Sequence, residues 1–186
     1  VFGYETIASG TNVAPESKVT ASYTNKDLAE TAASVTVDGK LAGNDQNTTW
    51  NSAGASKEEY PVKVNLDWGE AEYNVSSMRV MWWSDNGAVK FPSDCKLQYY
   101  NTRSKDWADM VDETGANVKS VGVKFGNEGK PGENEADYTG ENNRYWNGVS
   151  LNENVKTNKL RLLVGSKSAS EGVGIGEIEV YGTKAA

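Results

Sequence analysis

The chain has 186 residues, enough for one well-buried domain and few for two. Its 37% hydrophobic and 24% charged residues exclude wholesale disorder, and 19 basic against 26 acidic residues give a net charge of −7, the wrong sign for nucleic-acid phosphates. Histidine is absent, which removes the commonest general base and the commonest transition-metal ligand together, so any metal is expected to be hard and oxygen-liking.

Residues 1–11 read as a linker or N-terminal extension. The opening "VFGYETIASG" has no basic start, no apolar signal core and no initiator Met, so the sequence reads as part of a larger exported protein whose signal lies upstream. A single domain is expected over 12–183, with a short tail at 184–186. Period-2 alternation dominates it: in "YPVKVNLDW", Val62, Val64, Leu66 and Trp68 alternate with Lys63, Asn65 and Asp67, as in a strand with one buried and one wet face. Similar runs predict strands at Lys18–Tyr23, Met78–Trp83, Cys95–Tyr100, Val118–Phe125, Arg144–Leu151, Lys159–Val164 and Gly176–Tyr181. Turn signals such as "SDNG" and "NTRSKD" separate them, which points to an all-β antiparallel sandwich or jelly roll. No apolar run reaches membrane-spanning length. Helical signals are confined to "NKDLAETAAS" (Asn25–Ser34) and "SKDWADMV" (Ser104–Val111), a turn or two each.

The segment "VTVDGKLAGNDQNTTW" (Val35–Trp50) reads as a strand end delivering Asp38, a turn at Gly39, and a loop offering Asn44, Asp45, Asn47 and Thr48. Oxygens gathered this densely suit calcium, which takes six to eight of them in a flexible shell. They equally suit an Asx-rich turn that caps its own backbone.

In "MRVMWW" (Met78–Trp83), Met78, Val80 and Trp82 share one face of the strand, while Arg79, Met81 and Trp83 share the other. The first set is uniformly apolar, so Trp82 is assigned to the core and Trp83 to the opposite, open face beside Asp85, Asn86 and Lys90. Cys95 alternates with Leu97 and Tyr99 and reads as a buried structural thiol. Gly126–Asn143 is the most loop-like stretch.

Aromatics fall where strands meet loops: Trp50, Trp82, Trp83, Trp107, Tyr145 and Trp146. A flat ring with a few fixed hydrogen-bonding groups suits the C–H face of a sugar, although core packing explains many such residues equally well. Catalysis is not expected. Without histidine a nucleophile lacks its usual base, and no phosphate-loop or nucleophile-elbow pattern occurs; "GVGIGEIE" (Gly172–Glu179) runs into a strand. Carboxylate pairs of the glycosidase kind carry no information without geometry.

Five stretches in order resemble discoidin-like domains, also called coagulation-factor type C domains, which include carbohydrate-binding module family 32. They are "NVAPESKVTASYTN", "VTVDGKLAGNDQNTTWNS", "YPVKVNLDWGEAEYNVSSMRVMWW", "KFPSDCKLQYYNTRSKDWADM" and "KLRLLVGSKSASEGVGIGEIEVYG". The resemblance implies a jelly-roll β-sandwich of the galactose-binding-domain type, and a non-catalytic module of a secreted or cell-surface bacterial glycoside hydrolase. The single cysteine forbids the disulfide that ties the ends of animal relatives, which favours the sugar-binding branch over the membrane-binding one.

The resemblance also implies a structural Ca2+. Asp38 and Glu177 match the family's acidic ligands, Thr48 matches its Thr-x-Trp pattern, and loop oxygens around Lys40, Asn44 and Asp45 complete the set, on a Gly39–Thr48 loop longer than usual. The ligand site is implied in loops at one end of the sandwich: Ser84–Ser93, Gly165–Gly174 and the stretch around Tyr138–Asn147. The binding residues assigned there are Trp83, Asp85, Asn86, Lys90, Arg144, Tyr145 and Trp146. The histidine of galactose-binding relatives is missing, and the long loops look more like domains attached to arabinose-releasing or other plant-polysaccharide enzymes. The expected partners are a plant or host carbohydrate and a catalytic domain of the same chain, with no nucleic acid, no membrane and a monomeric state. The competing expectation is a structural spacer that docks on the catalytic domain through an open apolar face at Trp83.

Overall fold

The computed structural model describes residues 10–40, 48–112, 114–115, 117–121 and 144–186, with the backbone alone at 119–121 and 144–145. Two mainly antiparallel sheets face each other. The first contains β1 (Thr11–Asn12), β3 (Trp50–Asn51), β5 (Tyr73–Trp83), β6 (Val89–Lys90), β10 (Arg144–Thr157) and β12 (Gly172–Lys184). Its spine runs β1-β12-β5-β10, with β3 and β6 added to β12. The second has the order β2 (Lys18–Ala21), β4 (Val62–Asp67), β11 (Lys159–Gly165), β7 (Asp94–Asn101) and β8 (Asp106–Asp109), and β9 (Lys119–Val121) also pairs with β7.

The alternation in the sequence accounts for the packing. Val62, Val64 and Leu66 of β4 lie beside Leu160, Leu162 and Val164 of β11, and Cys95 and Leu97 of β7 continue the layer. Opposite them stand Met78, Val80 and Trp82 of β5 with Ile175, Ile178 and Val180 of β12. All of these are buried, so the two sheets close one core without a disulfide. Trp68 also ties the N-terminal segment down, its Nε1 donating to the Val13 carbonyl at 2.8 Å. The all-β sandwich expected from the sequence is present, and Cys95 is buried as assigned.

Two local expectations are corrected. Trp107 and its neighbours lie in β8, not in a helical turn, because pairing with Gln98–Asn101 places Trp107 opposite Tyr100 and lets a weak helical pattern lose to a sheet edge. Asp38 follows a short 3-10 helix over Ala32–Val37 instead of a strand end. Ala33 and Val37 of that helix still reach the core. Among the described residues no helix is long and apolar enough to cross a membrane.

One irregularity positions a functional group. Gly174 pairs with Trp83 and Ile175 with Trp82, but the register then shifts so that Glu177, not Gly176, falls opposite Met81. This bulge restores Ile178 and Val180 to the core row and keeps Glu177 out of it.

Candidate functional site

Two sites of different character emerge. The first is an open cavity of about 390 Å³ at one end of the sandwich. Tyr23, Asn25, Lys26 and Asp27 from the segment after β2 form one wall. Asn51, Ala53 and Gly54 after β3 form a second, and Trp83, Asp85, Ala88 and Val89 the third.

Local chemistry fixes each wall. The Asn25 side-chain amide donates to Asn51 Oδ1 at 2.9 Å, joining two loops, and the same Asn51 oxygen receives the Ala53 N–H at 3.1 Å. Asn51 is buried, so it forms a floor with a fixed orientation. Asp85 Oδ1 accepts the N–H groups of Gly87 at 2.6 Å and Val89 at 2.9 Å, which locks the turn in which Asn86 has a φ of +59°. Burial, then the Glu59 and Asp27 carboxylates, raises the pKa of the Tyr23 hydroxyl and keeps it a neutral donor. The walls therefore offer two carboxylates, one ammonium, two amides and a phenol around an aromatic edge. Among the described residues that line it there is no histidine and no serine, threonine or cysteine.

The structure redistributes the predicted ligand residues. Asp85 and Trp83 line the cavity. Trp83 is nevertheless 3% exposed, which overturns its assignment as an open platform. Alternation gave its side correctly, since it lies outside the core cluster that holds Trp82. What alternation did not give is its cover: a Cβ at Gly174 would lie 2.7 Å from Trp83 Cε3 and 2.8 Å from Val89 Cγ1, so the ring rests where a side chain is missing. Asn86 sits at the exposed loop tip, and neither it nor Lys90 lines the cavity.

Trp146 also misses the cavity. It falls opposite Met81 and stacks on the Arg79 guanidinium at 4.0 Å, and Arg79 in turn pairs with Glu179 at 2.5 Å. Arg144 and Tyr145 pair with Trp83 and Trp82 through the backbone, and their side chains lie outside the described residues. Gly165–Gly174 supports the site from behind, with the Gly172 N–H donating to the Ala88 carbonyl at 2.7 Å. Of the Tyr138–Asn147 stretch, residues 138–143 lie outside the described residues, as does the whole of the expected Gly126–Asn143 loop. Sequence reasoning missed Tyr23, Asn25, Lys26, Asp27 and Asn51; the signal available was a polar "YTNKD" directly after a strand and an Asn directly after the Thr-x-Trp pattern.

The second site is a carboxylate pair. Glu177 is buried, its Oε1 accepts the Gly39 N–H at 3.0 Å, and its Oε2 is buried with no donor. Burial, opposed by the Gly39 N–H and reinforced by the Asp38 and Glu179 charges and by a proton shared with Asp38, pushes its pKa up to about 8. Asp38 Oδ1 accepts the Lys40 N–H at 2.9 Å, which folds the turn over Glu177. A buried oxygen with no donor beside a second carboxylate suits a hard cation, and it suits equally a proton shared with Asp38. Thr48 is exposed, and Asn44 and Asp45 lie outside the described residues.

No family model matches the sequence. Its fold, however, is shared with solved carbohydrate-binding modules of family 32. The third such module of a family 31 glycoside hydrolase from Clostridium perfringens is 15% identical, with a TM-score of 0.58 over 97% of this chain and 100% of that one. A chitosan-binding module from a chitosanase/glucanase of Paenibacillus sp. IK-5 is 17% identical, with a TM-score of 0.58 over 93% and 99%. The family 32 module of C. perfringens NanJ, solved with galactose, is 16% identical, with a TM-score of 0.55 over 92% and 98%. A family 89 glycoside hydrolase of C. perfringens also matches 94% of this chain, which spans only 15% of that enzyme. The chain thus has the discoidin-like β-sandwich of family 32 modules.

Proposed function

We propose that this discoidin-like sandwich is a non-catalytic carbohydrate-binding module that serves an extracellular glycoside hydrolase by holding its glycan close. The observation that carries the reading is the end cavity, in which Asn51, Asp27, Asp85 and Tyr23 present fixed donors and acceptors beside the edge of Trp83. A sugar needs both: directional partners for its hydroxyls and an apolar edge for its C–H groups. Several neighbours of the same fold are described with sugars, including galactose and GalNAc-β-1,3-galactose. The identity of those sugars is not carried over, because the groups in this cavity are its own.

The spacer alternative placed its docking face at Trp83, and that ring is buried and offers no open apolar platform there. A structural Ca2+ belongs to the proposal. Asp38 and Glu177 would hold it, with oxygens of Lys40, Thr48, Asn44 and Asp45 as further candidates. The ion would supply positive charge to a buried carboxylate pair and pin the Gly39 turn to β12.

Glycan-array screening followed by calorimetry tests the sugar reading. Binding in the millimolar to micromolar range is expected, on the order of 4 to 8 kcal/mol. Asn51→Ala should abolish it while leaving the melting temperature of the rest of the fold recognisable. Silence across neutral, amino and acidic glycans would refute the reading.

A further inference from the structure

The outer face of the second sheet carries a feature that neither the end cavity nor the carboxylate pair uses. Alternation sends Lys18 of β2, Lys63 of β4, Lys159 and Arg161 of β11 and Lys96 of β7 to this one face. Asp67, Asp94 and Asp109 stand on this face and Asp106 acts on Arg161 from the start of β8, so five cations against four carboxylates leave it slightly net positive on a chain of net charge −7. Asp67 engages Lys159 at 3.5 Å and Asp109 engages Lys96 at 2.9 Å, while Lys18 and Lys63 are exposed with no acidic partner among the described residues.

At the centre stands a held guanidinium. Arg161 Nε donates to Gln98 Oε1 at 2.7 Å, and Gln98 Nε2 donates to Asp109 Oδ1 at 2.7 Å. The Arg161 guanidinium lies 4.1 Å from the centre of the Trp107 ring, and Tyr100 packs edge-on against that ring at 5.6 Å. Among the described residues its hydrogen bond is through Nε alone and Asp106 and Asp109 act on it through charge, so neither terminal NH₂ group meets a hydrogen-bond acceptor among those residues. The two groups form a fork that matches a carboxylate in two parallel bonds at little ordering cost.

We infer that this sheet face is a second glycan surface, specific for a uronate-bearing polysaccharide: one carboxylate on the Arg161 fork, a sugar ring against Trp107 and Tyr100, and a further carboxylate on Lys63. The cations stand roughly 5 to 10 Å apart along and across the strands. They are interspersed with carboxylates, a spacing that suits one negative charge per sugar ring and opposes the denser phosphates of nucleic acid. Two aromatic rings beside the fork give neutral C–H surface a place to rest. The inference stands on this face alone and is independent of the end cavity.

Affinity electrophoresis and calorimetry on the intact chain with polygalacturonic acid, its fully methyl-esterified form and single-stranded DNA would test it. The acid form should bind, with the ester and the DNA weaker by on the order of tenfold or more. Arg161→Gln and the exposed Lys63→Glu should each weaken the acid form, the second without lowering the melting temperature, while Asn51→Ala in the end cavity should leave it unchanged. Equal binding of the ester or of DNA, or wild-type affinity in both Arg161→Gln and Lys63→Glu, would overturn the inference. Loss of acid-form binding in Asn51→Ala would overturn it as well, by moving the site to the cavity.

Discussion

Glu177 gives one carboxylate oxygen to the Gly39 N–H at 3.0 Å and leaves the other buried with no donor, so a residue 138 positions away in sequence closes only half of its own site. The remaining half defines what calcium would contribute. With the ion bound only to the folded chain, chelation should lower the melting temperature, and calcium at 100 times its dissociation constant should restore about 2.7 kcal/mol. A scanning-calorimetry melt unchanged by excess chelator would remove the ion from the account.

The raised pKa of Glu177 gives a pH signature with a definite sign. Its folded value of about 8 lies above the ordinary 4.5, so between these values the native state keeps a proton that the unfolded state has released. Stability of the chelated protein should therefore fall as pH rises from about 5 to 8. Calcium, which favours the ionised form, should flatten that slope. Denaturant melts at pH 5, 6.5 and 8 with and without calcium decide it; a chelated protein that grows more stable over this range would contradict the burial argument.

Glu177→Gln should separate charge from shape. The amide removes repulsion from Asp38, so the metal-free variant should melt at or above the wild type at pH 8. It should also lose the calcium response. A variant that still gains stability from calcium would place the ion elsewhere.

Trp82 and Trp83 should no longer be told apart by stability alone. Trp82 is fully buried in the core, and Trp82→Ala should cost about 3–5 kcal/mol. Trp83 is almost as buried, so Trp83→Ala should also cost about 3 kcal/mol and should weaken ligand binding besides. Chemical denaturation with parallel calorimetric titration checks both, and a Trp83→Ala protein as stable as the wild type would mean the ring is not packed as described.

Gly174→Ala probes the cover over Trp83. The added methyl would meet the Trp83 carbonyl oxygen at 2.6 Å as well as the ring, and should destabilise the fold by about 1–3 kcal/mol through overpacking. An unaffected melting temperature would show that the ring can step aside.

The second sheet was legible because it keeps one wet face, and alternation such as Val62, Val64 and Leu66 against Lys63, Asn65 and Asp67 records it locally, whereas Met81, Trp83 and Glu177 are buried on the outer side of the first sheet. Asp38 stood out in the oxygen-rich Val35–Trp50 segment and Glu177 came from the resemblance alone; in the structure the Gly39 N–H beside Asp38 donates to Glu177. The end cavity was only partly legible. Asn25 and Asn51 meet across 26 residues of chain, a distance at which no periodicity carries information. Trp83 failed for a different reason: strand parity tells which side a ring takes, and only the bare backbone of Gly174 tells that the side is filled. The glycines of "GVGIGE" were that signal, visible as residues but without an addressee until β12 was laid beside β5.

The pairing of β1 with the far end of β12 has a mechanical consequence. Thr11 lies opposite Gly182, while Gly174 lies beside Trp83 at the cavity. The eight steps between those glycines span roughly 26 Å at about 3.3 Å per residue. Strand β1 and the last residues of β12 thus share one pole and the cavity occupies the other, so a load applied at Thr11 or at Gly182 would swing the module like a ladle, bowl outward.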